Sequence, residues 1–173
     1  MKRLIIDLDM DKCCACGACA VACMDQNDID TADESPLRCV FTLENKARGT
    51  VRYVSLACMH CIDAPCVMAC PVGCILRDEG TGFSVYDNAN CIGCRNCSMA
   101  CPYGAISFSA EGKMQKCDGC ITRVENGLEP ACVRTCTVNA LSLYDEKEHR
   151  IDKLTASIIR VIDMTMDIME GAR

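Results

Sequence analysis

Residues 91–102 read Cys91-Ile92-Gly93-Cys94-Arg95-Asn96-Cys97-Ser98-Met99-Ala100-Cys101-Pro102. Three cysteines at two-residue intervals on a short irregular loop can reach three corners of one iron–sulfur cube. The fourth thiolate, three residues further on a helix, points away and serves a different cube. The pattern recurs on both sides of this stretch. Upstream are Cys13, Cys16, Cys19 and Cys23, then Cys58, Cys61, Cys66 and Cys70, the last followed by Pro71. Downstream are Cys117, Cys120, Cys132 and Cys136. Sixteen of the nineteen cysteines thus fall into four quartets. Four quartets imply four [4Fe-4S] clusters, and a row of clusters implies electron transfer.

Structural zinc is the strongest rival for any such quartet. The pairs Cys117/Cys120 and Cys132/Cys136 would pass alone as the halves of a zinc site. The first and third quartets would not, because three cysteines at such short intervals crowd one tetrahedral ion. Disulfides are the other rival, and the N-terminus argues against them. Leu4-Ile5-Ile6 runs into Asp7 and Asp9, so no secretory apolar segment forms. The expected location is the reducing cytoplasm, where clustered cysteine means metal ligation. A chain exported while bound to a signal-bearing partner would read the same.

The 173 residues suit one large domain or two small ones. Half are hydrophobic, but setting cysteine aside leaves roughly two-fifths, with seven aromatics and no tryptophan. That is a thin organic core, and the clusters are expected to hold much of the interior together. No apolar run approaches membrane-spanning length. The formal charge of −6 would become about −14 with four oxidised clusters, at roughly −2 each, which excludes nucleic acid as a natural partner.

Each tail repeats. Cys70-Pro71-Val72-Gly73-Cys74-Ile75 matches Cys101-Pro102-Tyr103-Gly104-Ala105-Ile106, and Cys136-Thr137-Val138-Asn139-Ala140-Leu141 is a third copy. The pattern predicts helices ending at the fourth cysteine, over residues 18–24, 65–70, 96–101 and 130–136, two of them opening with proline. Short strands follow over residues 3–7, 82–87, 105–108 and 140–144. Residues 38–43 and 50–56 flank a charged tip at 45–49 and predict a β-hairpin. Beyond Asp152 the recurrence of Leu154, Ile158, Val161, Ile162, Ile168 and Met169 predicts a C-terminal helix. That helix either packs on its own domain or docks on a partner.

The motifs around Cys58–Cys66, Cys91–Ala105 and Lys116–Cys132 resemble the four-cluster electron-transfer subunits of molybdenum and tungsten oxidoreductases. That family includes the small subunits of dimethyl-sulfoxide reductase and formate dehydrogenase, with related hydrogenase and aldehyde-oxidoreductase ferredoxins. The resemblance covers roughly residues 1–145. It implies an α+β fold of two nested bacterial-ferredoxin-like units with pseudo-two-fold symmetry. The outer unit would take residues 1–50 and 111–150, the inserted inner unit 51–110, and the C-terminal helix 151–173. It also implies crossed ligation. One cube would take Cys13, Cys16, Cys19 and Cys136, and its mirror Cys117, Cys120, Cys132 and Cys23. The inner pair would take Cys58, Cys61, Cys66 and Cys101, then Cys91, Cys94, Cys97 and Cys70. Met24 and Thr137 stand where a plain ferredoxin has proline, which loosens the outer turns without removing a ligand. No quartet lacks a cysteine, so all four clusters are expected to hold four irons.

Cys14, Cys39 and Cys74 are left over. Cys14 and Cys74 adjoin ligand loops and are expected as buried thiols, whereas Cys39 lies in the predicted hairpin. His60 either donates a hydrogen bond to cluster sulfur or packs inertly. Lys12, Arg95, Lys116, Arg123 and Arg134 flank the cysteine loops and should offset cluster charge. There is no nucleophile–base pairing, no phosphate-binding loop, and only two histidines. The chain is therefore expected to be non-catalytic, and the resemblance implies that it passes single electrons to or from a large pterin-containing molybdenum or tungsten subunit. A further electron donor or acceptor protein is a second expected partner. The alternative is a free polyferredoxin serving several enzymes.

Overall fold

The computed structural model describes residues 3–146, and the predicted C-terminal helix lies outside them. The strands are β1 (Leu4–Leu8), β2 (Cys39–Asn45), β3 (Thr50–Leu56), β4 (Ile75–Arg77), β5 (Ser84–Tyr86), β6 (Ile106–Phe108), β7 (Met114–Lys116) and β8 (Leu141–Asp145). The helices are α1 (Ala18–Gln26), α2 (Pro65–Met68), α3 (Asn96–Ala100), α4 (Ile121–Glu125) and α5 (Ala131–Arg134). They assemble into four two-stranded antiparallel sheets with short helices between them.

The first strand closes on the last. Leu4 pairs with Asp145 and Leu8 with Leu141, and Arg3 meets Glu146 in an ion pair at 2.8 Å. Helix α1 packs against α5, so the first and fourth quartets share one neighbourhood. Between them, α2 packs against α3, with β4 paired to β5 and β6 to β7. The second and third quartets share that second neighbourhood.

Two small cores follow this division. One gathers Ala64, Cys66, Ile75, Cys97, Ile106 and Met114, the other Cys19, Cys132, Val133 and Leu141. Cysteine is a principal component of both. Ordinary side-chain packing is correspondingly limited.

The β2–β3 hairpin forms as expected, with Asn45 opposite Thr50 across the tip. Helix ends differ from expectation. Helices α2, α3 and α5 stop before Cys70, Cys101 and Cys136, and Pro130 caps α5 from outside. The reason is local: the cysteine carbonyl accepts the N–H three residues on, from Gly73, Gly104 and Asn139. These residues have φ of 65°, 60° and 50°, a left-handed turn that ends a helix. Only Cys23 lies within its helix, and α1 runs on to Gln26. Strand β4 is the short strand that the Cys70–Ile75 tail hands the chain to, whereas strand β7 and helix α4 have no counterpart in the sequence pattern. Three-residue strands carry no period, and β7 forms because a turn at Ser109–Gly112 returns the chain onto β6. Among the described residues no helix is long and apolar enough to cross a membrane.

Candidate iron–sulfur cluster sites

The opening Cys-x-x-Cys of each quartet curls in the same way. The residue two after the first cysteine is left-handed in each: Ala15 at φ 56°, His60 at 45°, Gly93 at 66° and Gly119 at 77°. For Ala15 and His60 this conformation costs about 1–2 kcal/mol, so surrounding structure must hold it. Glycine is required at the other two. A Cβ on Gly119 would stand 2.3 Å from the Phe83 ring, and one on Gly93 would stand 2.7 Å from the Gly112 carbonyl oxygen.

Three cavities lie inside the curls, and each holds a matching set of four cysteines, to which Cys14 is added in one and Cys74 in another. Cys13, Cys16 and Cys19 line one together with Cys136, around about 340 Å³ of space including its mouth. Cys58, Cys61 and Cys66 line another with Cys101, at about 330 Å³. Cys91, Cys94 and Cys97 line the third with Cys70, at about 300 Å³. Each cavity thus combines three cysteines of one quartet with the last cysteine of another.

The remaining four cysteines form the most buried set. Cys23, Cys117 and Cys132 are buried and Cys120 is partly so. Burial pushes the Cys23 thiol up to about 12, and the neighbouring Cys132 and Cys120 add to the shift. Burial raises Cys117, Cys120 and Cys132 as well, while Arg38 pulls Cys117 and Cys132 back down. Such thiols are protonated without metal and give up their protons on ligation.

Backbone N–H groups aim at the crossing sulfurs. Cys74 donates to Cys70 Sγ at 3.2 Å, Ala105 to Cys101 Sγ at 3.5 Å, and Ala140 to Cys136 Sγ at 3.2 Å. At Cys23 the helix continues, and the Asn27 side-chain amide takes over, reaching Cys23 Sγ at 3.6 Å. Two cations tie down the loops themselves. Arg77 donates to the carbonyls of Cys61 and Ile62, both at 2.6 Å, and Lys113 to that of Cys91 at 2.5 Å.

The expected charge-offsetting residues divide. Lys116 is fully buried, donating to the carbonyl oxygens of Ser84 and Cys117. Lys12, Arg95 and Arg134 are exposed, Lys12 pairs with Asp9, and Arg95 lies over the Phe108 ring. Arg123 is partly exposed and binds the Glu129 carbonyl. Arg38 carries no mark in the sequence. It is buried at 4 % exposure and donates to Ser55, and its field reaches Cys23, Cys117 and Cys132. It lies far in sequence from every ligand it faces, so no spacing pattern marks it. Of the spare cysteines, Cys74 is buried as expected, but Cys14 is exposed. Cys14 sits at the mouth of the first cavity, which it lines beside Cys13 and Cys16.

These sites suit clusters better than single ions. Zinc holds its sulfurs about 3.8 Å apart, from a Zn–S distance near 2.3 Å. Among the described residues no group of three or more His, Cys, Asp or Glu side chains is placed to hold a single metal ion. All nineteen cysteines are free thiols. Buried charges need compensation, and among the described residues neither Lys116 nor Arg38 has a carboxylate partner. An anionic cluster would supply it. Ser84 Oγ, buried without a partner, belongs to a residue lining the cavity of Cys58, Cys61, Cys66 and Cys101.

The 4Fe-4S dicluster domain matches residues 49–146, a span that holds the second, third and fourth quartets. The chain is similar to the probable anaerobic dimethyl sulfoxide reductase chain YnfG of Escherichia coli strain K12, at 38% identity over 154 residues, 83% of this chain and 74% of that one. It is similar to the arsenate respiratory reductase iron–sulfur subunit ArrB of Shewanella sp. strain ANA-3, at 27% over 203 residues, 88% and 86% of the two chains. An uncharacterized ferredoxin of Methanocaldococcus jannaschii is 37% identical over 149 residues, 86% of this chain and 75% of that one. The chain therefore belongs to the 4Fe-4S dicluster domain family, binds 4Fe-4S clusters, and is an iron–sulfur electron-transfer subunit rather than a catalyst.

Proposed function

We propose that the chain holds four [4Fe-4S] clusters on crossed ligand sets and relays single electrons to or from a molybdenum- or tungsten-pterin catalytic subunit. The sets are Cys13, Cys16, Cys19 with Cys136; Cys117, Cys120, Cys132 with Cys23; Cys58, Cys61, Cys66 with Cys101; and Cys91, Cys94, Cys97 with Cys70. The observation that carries this is the repeated lining of three cavities by three cysteines of one quartet and the last of another. The fold we propose is two nested ferredoxin-like units with pseudo-two-fold symmetry. The β1–β8 and α1–α5 contacts support an outer unit, and the α2–α3 contact supports an inserted one. None of the nineteen cysteines is joined in a disulfide, which suits a reducing compartment, and the proposed location is the cytoplasm.

When bound, the clusters supply one-electron redox capacity. The protein's own residues set the rest. Arg38 and Lys116 place positive charge inside the fold, where it favours the more negative, reduced state. The backbone donors of Cys74, Ala105 and Ala140 do the same at individual sulfurs.

The test is anaerobic purification of the native protein with metal analysis. A stable complex containing molybdenum or tungsten is expected. A second reading, a free polyferredoxin, is favoured by the similarity to the Methanocaldococcus jannaschii ferredoxin. It predicts a particle of one chain's size carrying iron alone, and that result would overturn the subunit assignment.

A further inference from the structure

His60 belongs by sequence to the second quartet, between Cys58 and Cys61, yet its ring points at the fourth. Its Nδ1 accepts the Ser84 N–H at 3.0 Å, and its Nε2 stands 3.7 Å from Cys117 Sγ, within the longer reach of a sulfur acceptor. A neutral imidazole has one accepting and one donating nitrogen. With Nδ1 committed as acceptor, the proton is on Nε2 and faces the sulfur.

The surroundings fix this arrangement from several directions. His60 is 5 % exposed, and its ring lies 4.6 Å from that of the fully buried Phe83. Phe83 in turn occupies the space where a Cβ on Gly119 would be, inside the fourth-quartet loop. Lys116 donates to the carbonyls of both Ser84 and Cys117, so the residue that orients His60 and the residue it faces share one clamp. Packing against Phe83 alone, with the rings tilted by 45°, would leave the tautomer free. The Ser84 N–H selects it, and inert packing needs no such selection.

We infer that His60, carried on the second-quartet loop, donates its Nε2–H to Cys117 Sγ and raises the reduction potential of the fourth-quartet cluster rather than its own. The inference rests on the reading of Cys117 as a cluster ligand. A donor at the sulfur stabilises the negative charge that an added electron brings. The same side chain also gives the two cluster sites a direct connection, one loop to the next, through a single hydrogen bond.

The experiment is an anaerobic redox titration of the holo-protein followed by electron paramagnetic resonance, with the fourth-site signal identified through Cys23→Ala. His60→Leu should shift that cluster's reduction equilibrium toward the oxidised form about tenfold, which is about 59 mV for one electron. His60→Gln, which keeps an N–H near the Nε2 position, should recover most of the shift. A parallel arm needs no change at His60. With 15N-histidine labelling and His149→Asn, His60 is the one remaining histidine, and pulsed resonance should detect its nitrogen coupled to the fourth cluster. Full iron with unmoved potentials, a shift confined to the cluster of Cys58, Cys61 and Cys66, or no nitrogen coupling overturns the inference while leaving the ligand assignment standing. Wild-type protein carrying zinc and no iron would bring down the ligand assignment itself. Should His60→Leu fail to fold, the labelled protein decides.

Discussion

Arg38 Nη1 donates to Ser55 Oγ at 3.0 Å, and that hydroxyl stands 3.2 Å from Cys19 Sγ. The hydroxyl accepts from the guanidinium, so its own hydrogen is free to point at the sulfur. One buried cation thereby touches the first quartet through a relay and faces the fourth through its field. Replacing Arg38 with Met removes a positive charge beside Cys23, Cys117 and Cys132. The potential of that cluster should fall by at least tenfold in the reduction equilibrium, about 59 mV. Redox titration of the variant checks this, and an unmoved potential would mean that Arg38 serves only to brace the hairpin.

Gly119 tests the curl of the fourth loop. Gly119→Ala adds a Cβ 2.3 Å from the Phe83 ring at φ 77°, so overpacking and backbone strain combine. Overpacking alone costs about 1–3 kcal/mol. Gly17→Ala is the control, because it shares φ 77° but meets no atom within 4 Å. Its cost should be the backbone strain alone, about 1–2 kcal/mol. Thermal unfolding of the two loaded variants should place Gly119→Ala clearly below Gly17→Ala. Equal transition temperatures would contradict the packing described here.

Crossed ligation makes a sharper demand. Cys23→Ala should damage the cluster of Cys117, Cys120 and Cys132 and spare that of its sequence neighbours Cys13, Cys16 and Cys19. Its spectrum should therefore resemble that of Cys117→Ala and differ from that of Cys16→Ala. The reverse resemblance would assign each quartet to its own cluster.

Much of the site was legible because ligand spacing is a local property. The tails after Cys70, Cys101 and Cys136 follow from short-range geometry, and the four expected helices start within one residue of where the pattern puts them, with different ends. The hairpin was equally plain from two strand-like runs around a charged tip. What escaped was decided at long range. Arg38 lies 79 positions before Cys117, and the buried position of Lys116 depends on β7 pairing with β6. A lysine in a Met-Gln-Lys strand carries no apolar signal. His60 was marked as a candidate donor, but the sulfur it faces belongs to another quartet, which only the packing of Phe83 and Ser84 reveals.

The number and kind of clusters are decided by iron and acid-labile sulfide per chain. Anaerobically purified protein should hold about sixteen irons and about sixteen sulfides, from four cubes at four each. About eight of each would leave two of the sets described here without clusters, and two or more zinc ions with little sulfide would contradict the account entirely.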